Sequence, residues 1–270
     1  MAISRRSILT LGGLAIASAA AGCSQAVRNS GPRAAASSPA LHPSATAASS
    51  DQASASSSPT SSPRQSVGPR GPAVEYLHGP RTRPQVALTF HGAGDPGIAR
   101  DLLAIFAAHR AKVTVLAVGT WLAADHQIAH EILAGGHELG NHTYQHLDID
   151  SLSASAAHEE IVRCRDLLVS IVGSPGVHFR QSQSRRATPL VRRLAGAAGY
   201  RICLSYDIDS LDYTDPGPAA IRANVAAAGP GSIVSMHFGH AGTVTAMPQV
   251  LADLDAHGLQ AVTASTLLAP

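Results

Sequence analysis

The chain has 270 residues, 45% hydrophobic and 14% charged, which is enough to bury a substantial core and too apolar for an overall disordered polymer. Its 20 basic and 18 acidic residues give a formal charge of +2, but Arg5 and Arg6 lie in an N-terminal leader free of acids, leaving 18 of each sign beyond it. A remainder with no net charge and no basic stripe excludes nucleic acid as a partner.

Residues 1–22 read as an export signal: Arg5 and Arg6, then an apolar stretch ending at Ala21. The arginine pair fits either a twin-arginine signal or an ordinary secretory one. The stretch is too short to span a membrane in the mature protein. Ala20-Ala21-Gly22-Cys23 resembles a bacterial lipobox, with Ala20 where leucine is expected. It implies an acyl chain on Cys23, hence a lipoprotein on the outer face of the cytoplasmic membrane, or otherwise a secreted protein. Residues 23–80 are rich in Ser, Ala and Pro, a composition that cannot bury enough surface to offset its ordering entropy, and they predict a flexible tether. Residues 81–270 form the expected domain. Its two cysteines, Cys164 and Cys203, fit either a disulfide or two buried thiols.

The domain alternates short β-rich runs with helical ones. Strands are predicted at Gln85–Phe90, Lys112–Val118, Glu138–Asn141, Val177–Gln181, Ile202–Asp207, Ser232–Phe238 and Gln260–Ala264. Helices are predicted at Ile98–Arg110, Trp121–Ala134, Ser153–Val172, Thr188–Ala198, Pro218–Ala228 and Val244–His257. Such alternation implies an α/β fold with a parallel sheet and outer helices. A domain of about 185 residues is short for an eight-unit barrel, so a distorted, seven-stranded (β/α) barrel is expected, with an open doubly wound sheet as the alternative.

Of 14 histidines, 13 lie from His78 onward, which invites a metal or acid–base role. His91 follows the first predicted strand and His142 and His146 the third. Arg180 lies at the end of the fourth, Asp209 beyond the fifth, and His237 near the end of the sixth. In parallel α/β folds these strand ends converge where sites are built. His142-Thr-Tyr-Gln-His146 can aim two imidazoles at one borderline divalent ion. A hydrolytic metal site also needs a third ligand, an open position, a base and an acid. His237 suits the acid, with Asp209 polarising its ring. Arg180 suits a carboxylate or substrate group. Asp209, Asp212 and Asp215 fit equally well as the solvated acids of a turn containing Pro216-Gly217.

Together these motifs make residues 86–268 resemble the polysaccharide deacetylase family, carbohydrate esterases with the NodB-homology domain. The resemblance implies a distorted (β/α) barrel, a divalent metal, often zinc, and removal of acetyl groups from chitin-like or peptidoglycan glycans. His142-Thr-Tyr-Gln-His146 matches the metal motif H-[ST]-x-x-H. Asp209-Ser-Leu-Asp212-Tyr213 matches D-S-x-D-W, with Tyr213 in place of Trp, and implies substrate contacts for Asp212 and Tyr213. His237 in Ile-Val-Ser-Met-His is the implied acid and Asp209 its tuning residue. Arg180 in Phe-Arg-Gln-Ser matches the arginine of R-x-P-[YF], although the residues after it depart from that motif.

The family's first motif, T-F-D-D-G, provides a base and then a metal ligand. Here Thr89-Phe90 is followed by His91-Gly92-Ala93-Gly94-Asp95. Three expectations follow: His91 serves as ligand or base with Asp95 supplying the displaced carboxylate, the chemistry differs on a retained framework, or the domain binds glycan without turning it over. The first leads. It describes a monomeric, exported hydrolase acting on peptidoglycan or another N-acetylated polysaccharide, with one divalent metal, zinc by expectation, on His91, His142 and His146.

Overall fold

The computed structural model describes residues 71–270. The expected leader, Cys23 and most of the expected tether lie outside the described residues. The first strand, β1 (Val74–Tyr76), falls inside the span assigned to the tether, so ordered chain begins before residue 80. It is held by pairing with β5 (Ile202–Leu204) and by Glu75, whose carboxylate accepts from Arg186, Ser205 and the Ala187 amide.

The organising element is β2 (Gln85–Gly92), buried along most of its length. Successive side chains of a strand point to opposite faces. Val86, Leu88 and Phe90 therefore pack outward against Leu102 and Phe106 of α1 (Pro96–Ala108). Ala87 points inward, where it joins Leu116 and Leu204. Five strands run parallel in the order β4 (Glu138–Asn141), β3 (Thr114–Ala117), β2, β7 (Ile233–His237) and β6 (Ile208–Asp209). The short β8 (Gln260–Ala261) pairs with the start of β2.

Single-residue bridges from Phe179 to Asn141 and to Cys203 carry the curvature from β4 round to β5, giving a distorted (β/α) barrel. Its lower interior is apolar and closed by α8 (Ala264–Leu268), while its upper interior carries Thr89, His91, Arg180 and His237. Outside lie α2 (Gly119–Ala124), α3 (Gln127–Ala134), α4 (Ala154–Val172), α5 (Pro189–Ala197), α6 (Pro218–Val225) and α7 (Ala241–Ala256).

Four expectations are corrected. The predicted strand at Val177–Gln181 contracts to the bridged residue Phe179, because Arg180 turns into the barrel and the loop beyond it bonds to the backbone of His146 and Leu147. The strand predicted at Ile202–Asp207 divides, since β5 pairs with β1 and β6 pairs with β7, while the Asp207 carboxylate accepts from the Ile233 amide and Arg81. The helix predicted at Trp121–Ala134 divides into α2 and α3, where Asp125 caps Gln127 and pairs with Arg100. The C-terminal strand is shorter than expected and yields to α8, capped by the Thr263 hydroxyl. Cys164 and Cys203 are both free and buried, in separate apolar clusters, and burial pushes each thiol up to about 12.

Phe106 fills the layer between β2 and the helices, its ring 5.2 Å from that of Phe90. Replacing it with Ala leaves a cavity and is expected to cost about 3–5 kcal/mol in denaturant unfolding. A loss well under 1 kcal/mol would show that the layer repacks around the gap.

Candidate metal centre and acid–base pair

Three imidazoles meet at the carboxyl ends of β2 and β4. One nitrogen from each of His91, His142 and His146 lies within 4.8 Å of the others. His91 enters by strand alternation, as the next inward side chain after Thr89. His142 follows β4 directly, with its amide on the Ala117 carbonyl. Its Nδ1 lies 3.1 Å from the Arg180 carbonyl, which can only accept, so Nδ1 carries the proton and Nε2 presents a lone pair. That lone pair faces the His146 Nε2 at 3.0 Å.

The loop between these histidines is forced into shape. Thr143 and His146 hold φ values of 66° and 59°, a left-handed conformation uncommon outside glycine. Buried carboxylate and amide groups hold it there. Glu160 on α4 accepts from the Tyr144 and Gln145 amides at 3.1 and 2.7 Å. Asn141 accepts from the Thr143 amide at 2.8 Å and donates to the Ile161 carbonyl and to the Tyr200 hydroxyl. Motif reading missed both supports. The signal in sequence for Glu160 is an acid near the start of the helix that follows H-x-x-x-H.

The donor set fits a divalent ion. Both ring nitrogens of His91 are shielded from solvent and lack any protein partner, an expensive state for polar atoms unless something else satisfies them. Burial holds His91 and His142 neutral, the form that coordinates metal, and lowers His146 in the same direction. Three neutral nitrogens suit zinc and similar borderline ions.

Beside this cluster stands an acid–base pair. The His237 ring centroid is 4.3 Å from that of His91, and its Nδ1 lies 2.7 Å from the Asp212 Oδ1. The other oxygen of Asp212 accepts from the His237 amide at 2.9 Å and the Thr243 hydroxyl at 2.8 Å. Burial alone would raise the Asp212 carboxyl. The bonds from His237 and Thr243 outweigh it and hold the group below its usual value, as a carboxylate. The pairing leaves His237 Nε2 as the nitrogen free to face a substrate.

This corrects several assignments. Asp209 does not hold His237; its Oδ1 accepts from the Leu211 amide, and Asp212 takes the role. Asp212 is fully buried and so is not a substrate contact, whereas Tyr213 is exposed with its ring 5.2 Å from His237. Asp95 does not replace the missing carboxylate, because it caps α1 through the Gly97 amide and stands outside the histidine group. Arg180 is completely buried, donates to the Leu204 carbonyl and the Thr89 hydroxyl, and makes no ion pair among the described residues. Burial lowers it to about 10, still a cation at neutral pH.

Gly92, where the first motif departs from the family's, is closely packed. A Cβ there would lie 2.8 Å from the Trp121 ring and 3.0 Å from Val115, on the outward face of β2. Trp121 is fixed by donation from its Nε1 to the Gly94 carbonyl. Two residues on, Gly94 and Gly239 approach so closely that a side chain on Gly94 would strike the other backbone at 2.7 Å. That approach brings the ends of β2 and β7, and so His91 and His237, together.

A distorted (β/α) barrel with a nitrogen cluster and a His–Asp pair at its carboxyl strand ends is the class that fold and site define. The family model for polysaccharide deacetylases matches residues 78–203. A chitooligosaccharide deacetylase of Rhizobium leguminosarum bv. trifolii is 30% identical over 186 residues, covering 68% of this chain and 82% of the relative. A peptidoglycan-N-acetylglucosamine deacetylase of Bacillus cereus is 29% identical over 194 residues, covering 70% and 90%. A CE4 family pseudoenzyme from Bacillus anthracis shares the fold, with a TM-score of 0.67 at 22% identity over 72% of this chain and 69% of that one. The chain belongs to the polysaccharide deacetylase family.

Gly92→Asp, which writes the family's second aspartate back into the motif, is expected to destabilise by about 1–3 kcal/mol through overpacking against Trp121, with a further penalty for the buried charge. Its melting temperature, with and without zinc, is the readout. A variant as stable as the parent would show that the Trp121 layer yields.

Proposed function

We propose that this protein is an exported, metal-dependent deacetylase of amino-sugar glycans, using the three histidines as its metal ligands. The observation that carries the reading is the His91, His142 and His146 cluster with the His237–Asp212 pair beside it. The relatives named above, peptidoglycan and chitooligosaccharide deacetylases, support the glycan class. The signal-like residues 1–22, the cysteine at position 23 and the Ser/Ala/Pro-rich stretch after it support a lipid-anchored monomer reaching cell-wall glycan from the outer face of the cytoplasmic membrane.

A divalent ion, zinc in this reading, supplies a Lewis acid that polarises the acetyl carbonyl and lowers the pKa of a water molecule. The protein's own residues then manage the protons. With Asp95 tied to α1 and His91 given to the ion, His237 is the basic group left facing the cluster. Its Nε2 accepts the proton that water loses on attacking the carbonyl carbon, and returns it to the amide nitrogen as the C–N bond breaks. Acetate and a free amine leave. Asp212 orients the ring throughout and stabilises its charged form.

His237→Ala is expected to lower acetate release from chitooligosaccharides or peptidoglycan about 10²–10⁴-fold in a protein that still folds, with a lower melting temperature because the buried Asp212 loses a partner. Activity within a few-fold of the parent would remove His237 from the chemistry. One observation favours a second reading, a glycan-binding domain without turnover: the aspartate pair of the first motif is missing. Saturable glycan binding without acetate release, in the presence of zinc, cobalt or nickel, would establish it.

A further inference from the structure

Beside the His237–Asp212 pair stands a second one of the same design, which the deacetylation reading does not use. His240 Nδ1 lies 2.9 Å from the Asp215 Oδ1, and the His240 ring is 5.9 Å from that of His237, edge to face. Two histidines three residues apart are matched to two aspartates three residues apart. The inner pair is buried on the Asp212 side. The outer one is open, with the Asp215 side chain 70% and the His240 side chain 25% exposed.

Stability does not account for this outer pair. Exposed ion pairs contribute little, yet Asp215 is held at a φ of 51° and Leu211, at the other end of the same turn, at 55°. Left-handed backbone at non-glycine residues carries a cost and persists where the surroundings over-determine it, commonly at functional sites. Here the buried Asp212 and the Asp209 side chain, which accepts from the Leu211 amide, fix the turn. The turn leaves Leu211 and Tyr213 exposed, and the rings of Tyr213 and His240 lie 5.2 and 5.9 Å from that of His237.

We infer that His240 and Asp215 form a second glycan-binding position, which grips a sugar residue next to the one being deacetylated. This rests on the deacetylase reading. The free atoms suit a pyranose. Among the described residues, His240 Nε2 and Asp215 Oδ2 have no hydrogen-bond partner, so the pair offers sugar hydroxyls a ring nitrogen and a carboxylate oxygen. The apolar Tyr213 and Leu211 match the flat face of a sugar, and the polar pair matches its edge. His240 acts in this scheme as a positioning and chain-length-reading residue, outside the bond-breaking step.

The test is glycan affinity of the full chain, measured calorimetrically with a chelator present so that nothing is turned over. The probes are chitotetraose and N-acetylglucosamine. His240→Ala is expected to weaken chitotetraose roughly tenfold, the scale of a lost hydrogen bond to a charged pair, and to reduce the preference for tetramer over monomer. His240→Gln, which keeps a polar tip, should recover part of that preference, and Asp215→Asn gives an independent reading should His240→Ala fold poorly. Equal losses for both sugars, or none, would overturn the inference and leave the pair as a clasp for its turn. A parent protein that binds tetramer and releases acetate while His240→Ala behaves identically would overturn the inference alone. A parent that neither binds nor deacetylates either glycan would overturn the deacetylase reading and this inference together.

Discussion

At the carboxyl end of β2 only one of the two residues after Phe90 has room for a side chain, because a Cβ at Gly92 would press on Trp121 and Val115. His91 points inward to meet His142 and His237, and Gly92 points outward into a layer filled by Trp121 and Val115. The packing around position 92 matches the glycine that stands there. A carboxylate at position 92 would need Trp121 to move, and that ring is tied to the Gly94 carbonyl. The strand that builds the core also decides that the site is made of nitrogen, with its carboxylates in the supporting positions.

Those supporting positions matter because imidazoles on a loop do not aim themselves. Glu160 and Asn141 hold the amides of the His142–His146 loop, the Arg180 carbonyl sets the tautomer of His142, and Asp212 sets that of His237. Each of these groups is buried, where an unmet hydrogen bond is costly and a met one is rigid. Partners of this kind fix ligand orientation and affinity nearly as firmly as the ligands themselves. Arg180 belongs with them. Its buried cation donates through Nε and one Nη to carbonyls and a hydroxyl while the other Nη has no partner among the described residues, and the carbonyl of the same residue anchors His142.

The sequence carried the periodic part of this fold well. The apolar run at Gln85–Phe90 and the glycine pair ending α3 place their elements within a residue or two of where they stand. Long-range choices were invisible in it. Nothing local says that Ile202–Leu204 pairs with a strand at Val74–Tyr76, or that Asp207 leaves the ladder to bind the Ile233 amide. The three histidines and His237 were legible because strand ends converge in such barrels. Asp209 was mistaken for Asp212 for a related reason: both flank the same motif, and only the left-handed backbone at Leu211 brings the later one under the ring. His240 carried no signal in sequence beyond being one more histidine.

The central claim is that His91 has become the third ligand of a three-nitrogen metal site. Metal content after equilibrium dialysis against zinc tests it most directly, comparing the purified parent with His91→Ala. The account predicts a single tightly held ion per chain in the parent, and its loss or a large fall in affinity in the variant, with the fold retained. A parent that takes up no ion, or a variant that holds zinc as tightly as the parent, would contradict it.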